Sequence, residues 1–297
     1  MLFVCIRNYY KQTYITRQSV IKPYPELVSG FLVKNVNLAT PSHSSLGKDL
    51  KVSQPRTIEP TVAVMLPTYC EADNIESLIR EIKNLKPDSL IAVIDDSSHD
   101  GTADIVRRLQ EEHDKILVLT RPAKLGLGTA ITDGFRLILS LRKPPDYIIT
   151  MDADYSHNPQ AIPRLLSAAQ KGYDLVIGSR YTEGSRIVGW HTIRWLISRV
   201  ANFIASTMVG LQIRDCTSGF RCYSKNYVRK VIGYLHSQTY EIQIETVKQA
   251  WTRGFKVKEI PITFENRKKG KSKLTRVEFQ GFLSYIMKTK LPTAKDR

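Results

Sequence analysis

Two acidic pairs stand directly behind apolar runs. Asp95-Asp96 follows Leu90 to Ile94, and Asp152-Ala153-Asp154 follows Tyr147 to Met151. Carboxylates spaced like Asp152 and Asp154 can share one Mg²⁺ or Mn²⁺, an ion that usually takes one or two carboxylates and fills its shell with water and substrate phosphates. Such a site would bind a diphosphate. The same spacing also occurs in solvated loops where an aspartate caps the next helix, here at Pro159. Acidic residues placed like Asp95 and Asp96 commonly meet ribose hydroxyls or a ring edge. Capping is the better account of Ser98 and Asp100, but one cap does not need the two adjacent carboxylates of Asp95 and Asp96. Gly126-Leu127-Gly128 before a helix could bring backbone near phosphate; a helix-entry turn explains it equally well. Arg180, directly after an apolar run, is suited to gripping phosphate through its planar fork.

These residues must be held by elements that the apolar pattern defines. Strands are expected at Val62 to Leu66, Leu90 to Ile94, Ile116 to Leu119, Tyr147 to Thr150 and Leu175 to Ile177. Helices are expected at Asp73 to Leu85, Thr102 to His113, Thr129 to Leu141 and Pro159 to Gln170. The alternation predicts a doubly wound α/β half in which ligands sit beyond the carboxyl ends of the strands. Pro67-Thr68-Tyr69-Cys70-Glu71, Asp95-Asp96 and Asp152-Ala153-Asp154 should therefore meet along one edge. Beyond Gly178 the pattern turns helical, at Ile193 to Leu211 and Tyr240 to Trp251, with a strand-like segment at Lys256 to Phe264. Residues 1–60 lack sustained periodicity and read as a mobile extension, and residues 276–297 as a basic amphipathic tail.

The chain of 297 residues is 42% apolar and 24% charged, which excludes collagen-like and wholly disordered classes. Forty-four Lys and Arg against 28 Asp and Glu give a net charge of +16 and imply an anionic partner. Four scattered cysteines form no CxxC pair, so neither a disulfide scaffold nor a zinc site is expected. The first ten residues do not read as a signal peptide and no window reaches the apolar length of a membrane span, so neither is expected. The basic charge would suit a nucleic-acid-binding protein. Its concentration in the termini, the acidic strand ends and the lack of aromatic-basic interleaving argue for no nucleic acid.

In order along the chain, LPTYCEADNI, VIDDSSHDGT, RPAKLGLGTAITDGF, MDADYSHNP, IGSRY, DCTSGFRCY and FENRKKGKSKL resemble the motifs of family 2 inverting glycosyltransferases. The similarity is greatest to polyprenyl (dolichyl) phosphate mannose synthases of the kind without membrane spans. It covers residues 61 to about 275 and implies a GT-A fold, with a nucleotide-sugar half (61–178) and an acceptor half (179–275). It implies that Pro67, Tyr69, Glu71, Asp95, Asp96, Lys124, Asp152 and Ala153 bind the nucleotide sugar. Asp152, Asp154 and Ser156 would hold the metal, and Arg180, Arg194, Ser198, Arg267 and Lys273 the acceptor phosphate. Two departures stand out: Cys70 replaces the usual Asn, and Ser156 stands where some relatives have a metal-ligating Gln.

The implied reaction moves mannose from GDP-mannose to a polyprenyl or dolichyl phosphate with inversion. A phosphate monoester has a second pKa of about 6, so its oxygen is nucleophilic at neutral pH without a dedicated base. Asp152, Asp154 and Arg180 are the residues expected to carry catalysis. Glu241 and Glu245 are base candidates only for a hydroxyl acceptor. A UDP-sugar donor (glucose or an amino sugar) with undecaprenyl phosphate is the alternative within the fold; a catalytically dead relative is a third reading. The protein is expected to be cytosolic and peripheral on the cytoplasmic face of a membrane (endoplasmic reticulum if eukaryotic, plasma membrane if prokaryotic). A small membrane-anchoring subunit is a possible partner. Ile193 to Leu211 and Phe279 to Met287 are read either as interfacial helices or as core helices.

Overall fold

The computed structural model describes residues 61–210 and 213–266. The expected extension (1–60), basic tail (276–297), Arg267, Lys273 and Phe279 to Met287 lie outside the described residues.

Strands β1 (Val62–Thr68), β2 (Leu90–Asp95), β3 (Ile116–Thr120), β4 (Tyr147–Thr150) and β5 (Leu175–Ser179) form where the apolar runs place them. Residues of β1 and β2 are buried with almost no break, the pattern of parallel strands covered on both faces. Between the strands run α1 (Ala72–Leu85), α2 (Thr102–Glu112), α3 (Leu127–Leu139) and α4 (Ile162–Gln170). Each turns an apolar stripe to the sheet, as with Ile75, Leu78, Ile79 and Ile82 of α1. Pro159 begins a separate 3₁₀ turn, Pro159–Ala161, capped by the Asn158 side chain rather than by an aspartate of the DxD.

The second half adds β6 (Arg186–Val188), α5 (Thr192–Val209), β7 (Arg221–Ser224), α6 (Lys225–Val231), α7 (Ile242–Thr252), β8 (Val257–Pro261) and β9 (Thr263–Glu265). One sheet of order β3-β2-β1-β4-β7-β5-β8 joins both halves, while β6 and β9 make a separate parallel pair. Strand β7 is antiparallel to both β4 and β5, and every other pairing in the large sheet is parallel. It was not foreseen from the sequence. Its four residues, Arg-Cys-Tyr-Ser, begin with a charge, yet Arg221 is fully buried. The guanidinium is satisfied by the carbonyls of Ser218, Gln243 and Cys216 and by the Thr246 hydroxyl, at 2.6–2.7 Å. Arg221 thereby ties the loop ahead of β7 to α7.

Candidate active site

The carboxyl ends of β1, β2 and β4 open into a cleft lined by Pro67, Thr68, Tyr69, Glu71, Asp96, Lys124, Asp152, Ala153 and Asp154, with Gly126, Leu127, Ala130 and Tyr240. The register explains the convergence: Thr68 pairs with Asp95, and Met65 with Thr150 just ahead of Met151-Asp152. Cys70, Ser97 and Tyr155, one at each strand end, all have positive φ (54°, 59° and 61°). Non-glycine residues rarely adopt such backbone, and it concentrates where function over-determines the chain. Cys70 thus holds a left-handed conformation that Asn, glycine aside, tolerates best.

Asp95, the last residue of β2, and Asp96 just beyond it are held by different partners. Asp95 is fully buried and absent from the cleft wall; its carboxylate accepts from the Thr68 hydroxyl (2.8 Å), the Ser98 hydroxyl (2.6 Å) and the Ser98 amide (2.9 Å). Ser98 in turn accepts from the Cys70 amide, so Asp95 organises the loop that carries Tyr69 and Glu71. Asp96 does reach the cleft. It pairs with buried Arg121 and accepts from the Gly126 amide at 3.0 Å, anchoring both ends of the segment that carries Lys124. Burial pushes the Asp96 carboxyl up against the opposing pull of Arg121. Asp100 accepts from the Thr102 and Ala72 amides, bracing the starts of α2 and α1.

The glycines serve packing. The amides of Gly128 and Thr129 point at the Gln238 carbonyl (2.9 and 3.3 Å), so the start of α3 is occupied by protein. A Cβ on Gly128 would overlap the Ser237 carbonyl oxygen and lie 2.8 Å from the Gln238 carbonyl carbon. This close approach seats the 236–241 loop, which brings Tyr240 to the cleft. Lys124 Nζ stands 4.5 Å above the Tyr69 ring at the same cleft.

At the end of β4, Asp152 is 44% exposed at its side chain whereas Asp154 is buried, with Oδ1 accepting from the Ser156 amide at 3.0 Å. His157 Nδ1 accepts the Asp152 amide at 3.1 Å. Burial pushes the His157 pKa down, so the ring is neutral with its proton on Nε2. Its 3.7 Å approach to the Asp152 carboxylate is therefore no ion pair. Phe220 stacks on the imidazole at 5.1 Å and Phe264 meets it edge-on. Sequence reasoning passed over His157, although it lies inside MDADYSHNP. Among the described residues no three His, Cys, Asp or Glu cluster to hold a metal. The donor set is two carboxylates on the cleft wall plus the buried Ser156 Oγ, which has no hydrogen-bond partner. That set fits a hard divalent ion whose shell is completed by diphosphate and water.

Arg180 sits at the end of β5, lining a second cavity with Ser185, Ile187, Trp190, Thr192 and Trp195. Asp215 grips it, with Nε to Oδ2 at 2.8 Å and NH2 to Oδ1 at 2.7 Å, and Thr217 accepts from NH2 at 2.6 Å. Burial alone would raise Asp215, yet the adjacent guanidinium holds its carboxyl below the usual range. Arg194 donates to Asn266 at 3.1 Å, and Ser198 accepts from the Tyr181 hydroxyl at 2.6 Å. Glu245 and Glu241 are engaged structurally. Glu245 is buried and accepts from the His236 and Ser237 amides, and Glu241 accepts from the Gln238 and Thr239 amides.

The model of glycosyl transferase family 2 matches residues 63–232. The chain belongs to this family. It is 36% identical over 225 residues to polyprenol monophosphomannose synthase of Mycolicibacterium smegmatis, covering 74% of this chain and 84% of that protein. It is also 36% identical over 215 residues to undecaprenyl-phosphate mannosyltransferase of Micrococcus luteus, covering 72% and 87%. Among solved structures, glucosyl-3-phosphoglycerate synthase from Mycobacterium tuberculosis, in complex with Mn²⁺, UDP and glucosyl-3-phosphoglycerate, superposes with a TM-score of 0.57 at 16% identity. The match covers 79% of this chain and 82% of that one. The same enzyme with phosphoglyceric acid gives 0.58 at 17% identity. The fold of the family 2 chain is thus the GT-A fold: α/β, with a mixed, mainly parallel seven-stranded sheet.

Proposed function

We propose that this family 2 glycosyltransferase transfers mannose from GDP-mannose to a polyprenyl phosphate of the dolichyl type, giving the β-linked product. The observation that carries the reading is the pairing of two sites: a cleft walled by Asp152 and Asp154, and an arginine-lined cavity at Arg180. The names of the 36% identical relatives support both the sugar and the lipid phosphate. Pro67, Tyr69, Glu71 and Lys124 would flank the nucleotide, with Asp95 acting through the loop it organises. Asp152 and Asp154, with Ser156 beside them, would hold Mg²⁺ or Mn²⁺, which when bound offsets the charge of the departing diphosphate. The Mn²⁺ complex of the structural relative supports a divalent ion in kind. Arg180, Arg194 and Ser198 would orient the acceptor phosphate for in-line attack on the anomeric carbon, and its own ionisation removes the need for a base. Arg267 and Lys273 are proposed to join them.

Peripheral membrane contact belongs to the same reading. Among the described residues no helix is long and apolar enough to cross a membrane. Helix α5 carries Arg194 and Arg199, has no acidic residue, and exposes Ile193 (74%), Leu196, Ile197, Val200 and Phe203 (72%). The core-helix alternative therefore fails for this face, and an interfacial position beside the arginine-lined cavity fits it. A small anchoring subunit could share that face.

The test is transfer of labelled sugar from GDP-mannose, UDP-glucose and UDP-N-acetylglucosamine to dolichyl and undecaprenyl phosphate, with Mg²⁺, Mn²⁺ or EDTA. The reading requires labelling from GDP-mannose that EDTA stops. Labelling from a UDP-sugar alone would overturn the donor.

A further inference from the structure

Around the second cavity, guanidinium groups and aromatic rings alternate. Arg199 lies 5.7 Å from the centroid of Trp195 and 5.1 Å from that of Tyr181. Arg180 lies 5.5 Å from Tyr181 and 5.6 Å from Trp190, and Arg194 lies 4.3 Å from Trp190. The series Trp195, Arg199, Tyr181, Arg180, Trp190, Arg194 is continuous, and each cation is within the roughly 6 Å reach of a cation–π contact. It starts on exposed α5 and passes through Arg180, whose side chain is 9% exposed. The rungs are pinned independently. Tyr181 is hydrogen-bonded to Ser198, Trp190 packs edge-on to Phe264 at 5.4 Å, and Asn266 ties both Gly189 and Arg194 to the end of β9.

Three guanidiniums this close repel one another, and each interposed ring offers them a negative face instead. Stacking engages the flat face of a guanidinium and leaves its donor edge for oxygen acceptors. Asp215 and Thr217 already hold two of the three nitrogens of Arg180, and Asn266 engages Arg194, so exposed Arg199 carries more of the donor capacity toward a ligand.

We propose that this alternating stack is one preassembled grip for a phosphate monoester, in which Arg199 is a further phosphate-binding residue and Trp190 a positioning residue that holds Arg180 and Arg194 together. The inference rests on the acceptor of the proposed reaction being a phosphate, and it deepens that reading by adding Arg199 and the rings.

Calorimetric titration of a short-chain isoprenyl monophosphate into the full-length protein reads binding without turnover, and titration of GDP reads the donor side. Arg199→Gln and Trp190→Leu should weaken binding of the isoprenyl phosphate at least tenfold. Trp190→Phe, which keeps a ring face and loses the indole N–H, should stay within about threefold of wild type, and all three should bind GDP unchanged. Wild-type affinity in Arg199→Gln removes Arg199 from the grip and overturns the proposal. Equal losses in Trp190→Phe and Trp190→Leu overturn the role given to the ring. Should Trp190→Leu not fold, exposed Arg199 and the Phe variant decide. No binding by the wild-type protein overturns the stack; binding without any sugar transfer leaves the stack standing and overturns the transfer reading.

Discussion

Asp215 and Arg180 form a two-pronged ion pair at the end of β5, and Asp215 Oδ2 also accepts the Arg180 backbone amide at 2.9 Å. Asp215 is fully buried, so removing its charge strands a guanidinium in low dielectric. Breaking such a pair from one side typically costs about 3–5 kcal/mol. Asp215→Asn should lower the unfolding free energy by about that much and cut transfer at least a hundredfold, as read by urea melts and labelled-lipid assays. The Asp215 pKa is depressed on folding, so its contribution is present above the unfolded value of about 3.9 and is lost as pH falls below it. The difference between wild type and the Asn variant should therefore stay constant from pH 7 to 5 and close only below about pH 4; a difference that shrinks between pH 7 and 5 would count against this assignment.

Asp154 is the less exposed of the two DxD carboxylates, and its Oδ1 accepts from the Ser156 amide. Replacing it with Ala removes a hard oxygen donor while leaving the strand register untouched. Transfer should fall by about a hundredfold to a thousandfold, the range in which removal of a single charge-stabilising group acts. The melting temperature should move by only a few degrees. Substantial turnover in Asp154→Ala would break the metal assignment.

How much of this could be read beforehand differs by element. The five strands and four helices of the nucleotide half follow directly from apolar runs and turn residues, because both faces of β1 and β2 are covered. The convergence of Tyr69, Asp96 and Asp152 was equally legible, since strand ends on one sheet edge share a position. Strand β7 was hidden by Arg221, whose burial depends on carbonyls from two separate segments, the loop ahead of β7 and α7, that no local pattern reveals. Asp95, Asp96 and Gly128 stand in the region expected, each with a protein partner that no local pattern reveals. Sequence shows that two carboxylates or a glycine pair stand before a helix, but not that Ser98, Arg121 or the Gln238 carbonyl will arrive there first. Asp215 lay inside DCTSGFRCY without a role because its partner is 35 residues away.

Lys83 supplies a second pH dependence, in the alkaline range. Its ammonium is buried among the carbonyls of Ser89 (2.8 Å), Lys115 (3.3 Å) and Pro87 (3.5 Å), where α1 gives way to β2. Burial, reinforced by nearby Lys115, lowers its pKa from 10.5 to about 8. Between those values the unfolded chain binds the proton more tightly, so this residue's contribution to stability rises with pH from about 8 to 10.5. Urea midpoints of the wild type and of Lys83→Met should therefore diverge in favour of the wild type across that interval. A constant difference would show that Lys83 keeps an ordinary pKa.

Gly128 separates packing from chemistry. A methyl group there meets backbone atoms of Ser237 and Gln238 rather than a flexible side chain, so the 236–241 loop must retreat. Overpacking of this kind costs about 1–3 kcal/mol. Tyr240 would withdraw from the cleft with its loop while Asp152, Asp154 and Arg180 stay in place. Gly128→Ala should therefore raise KM for the nucleotide sugar severalfold and leave KM for the lipid phosphate near its wild-type value. Steady-state kinetics with each substrate varied in turn makes the distinction; an equal rise in both constants would mean that the loop supports the whole domain rather than the donor cleft.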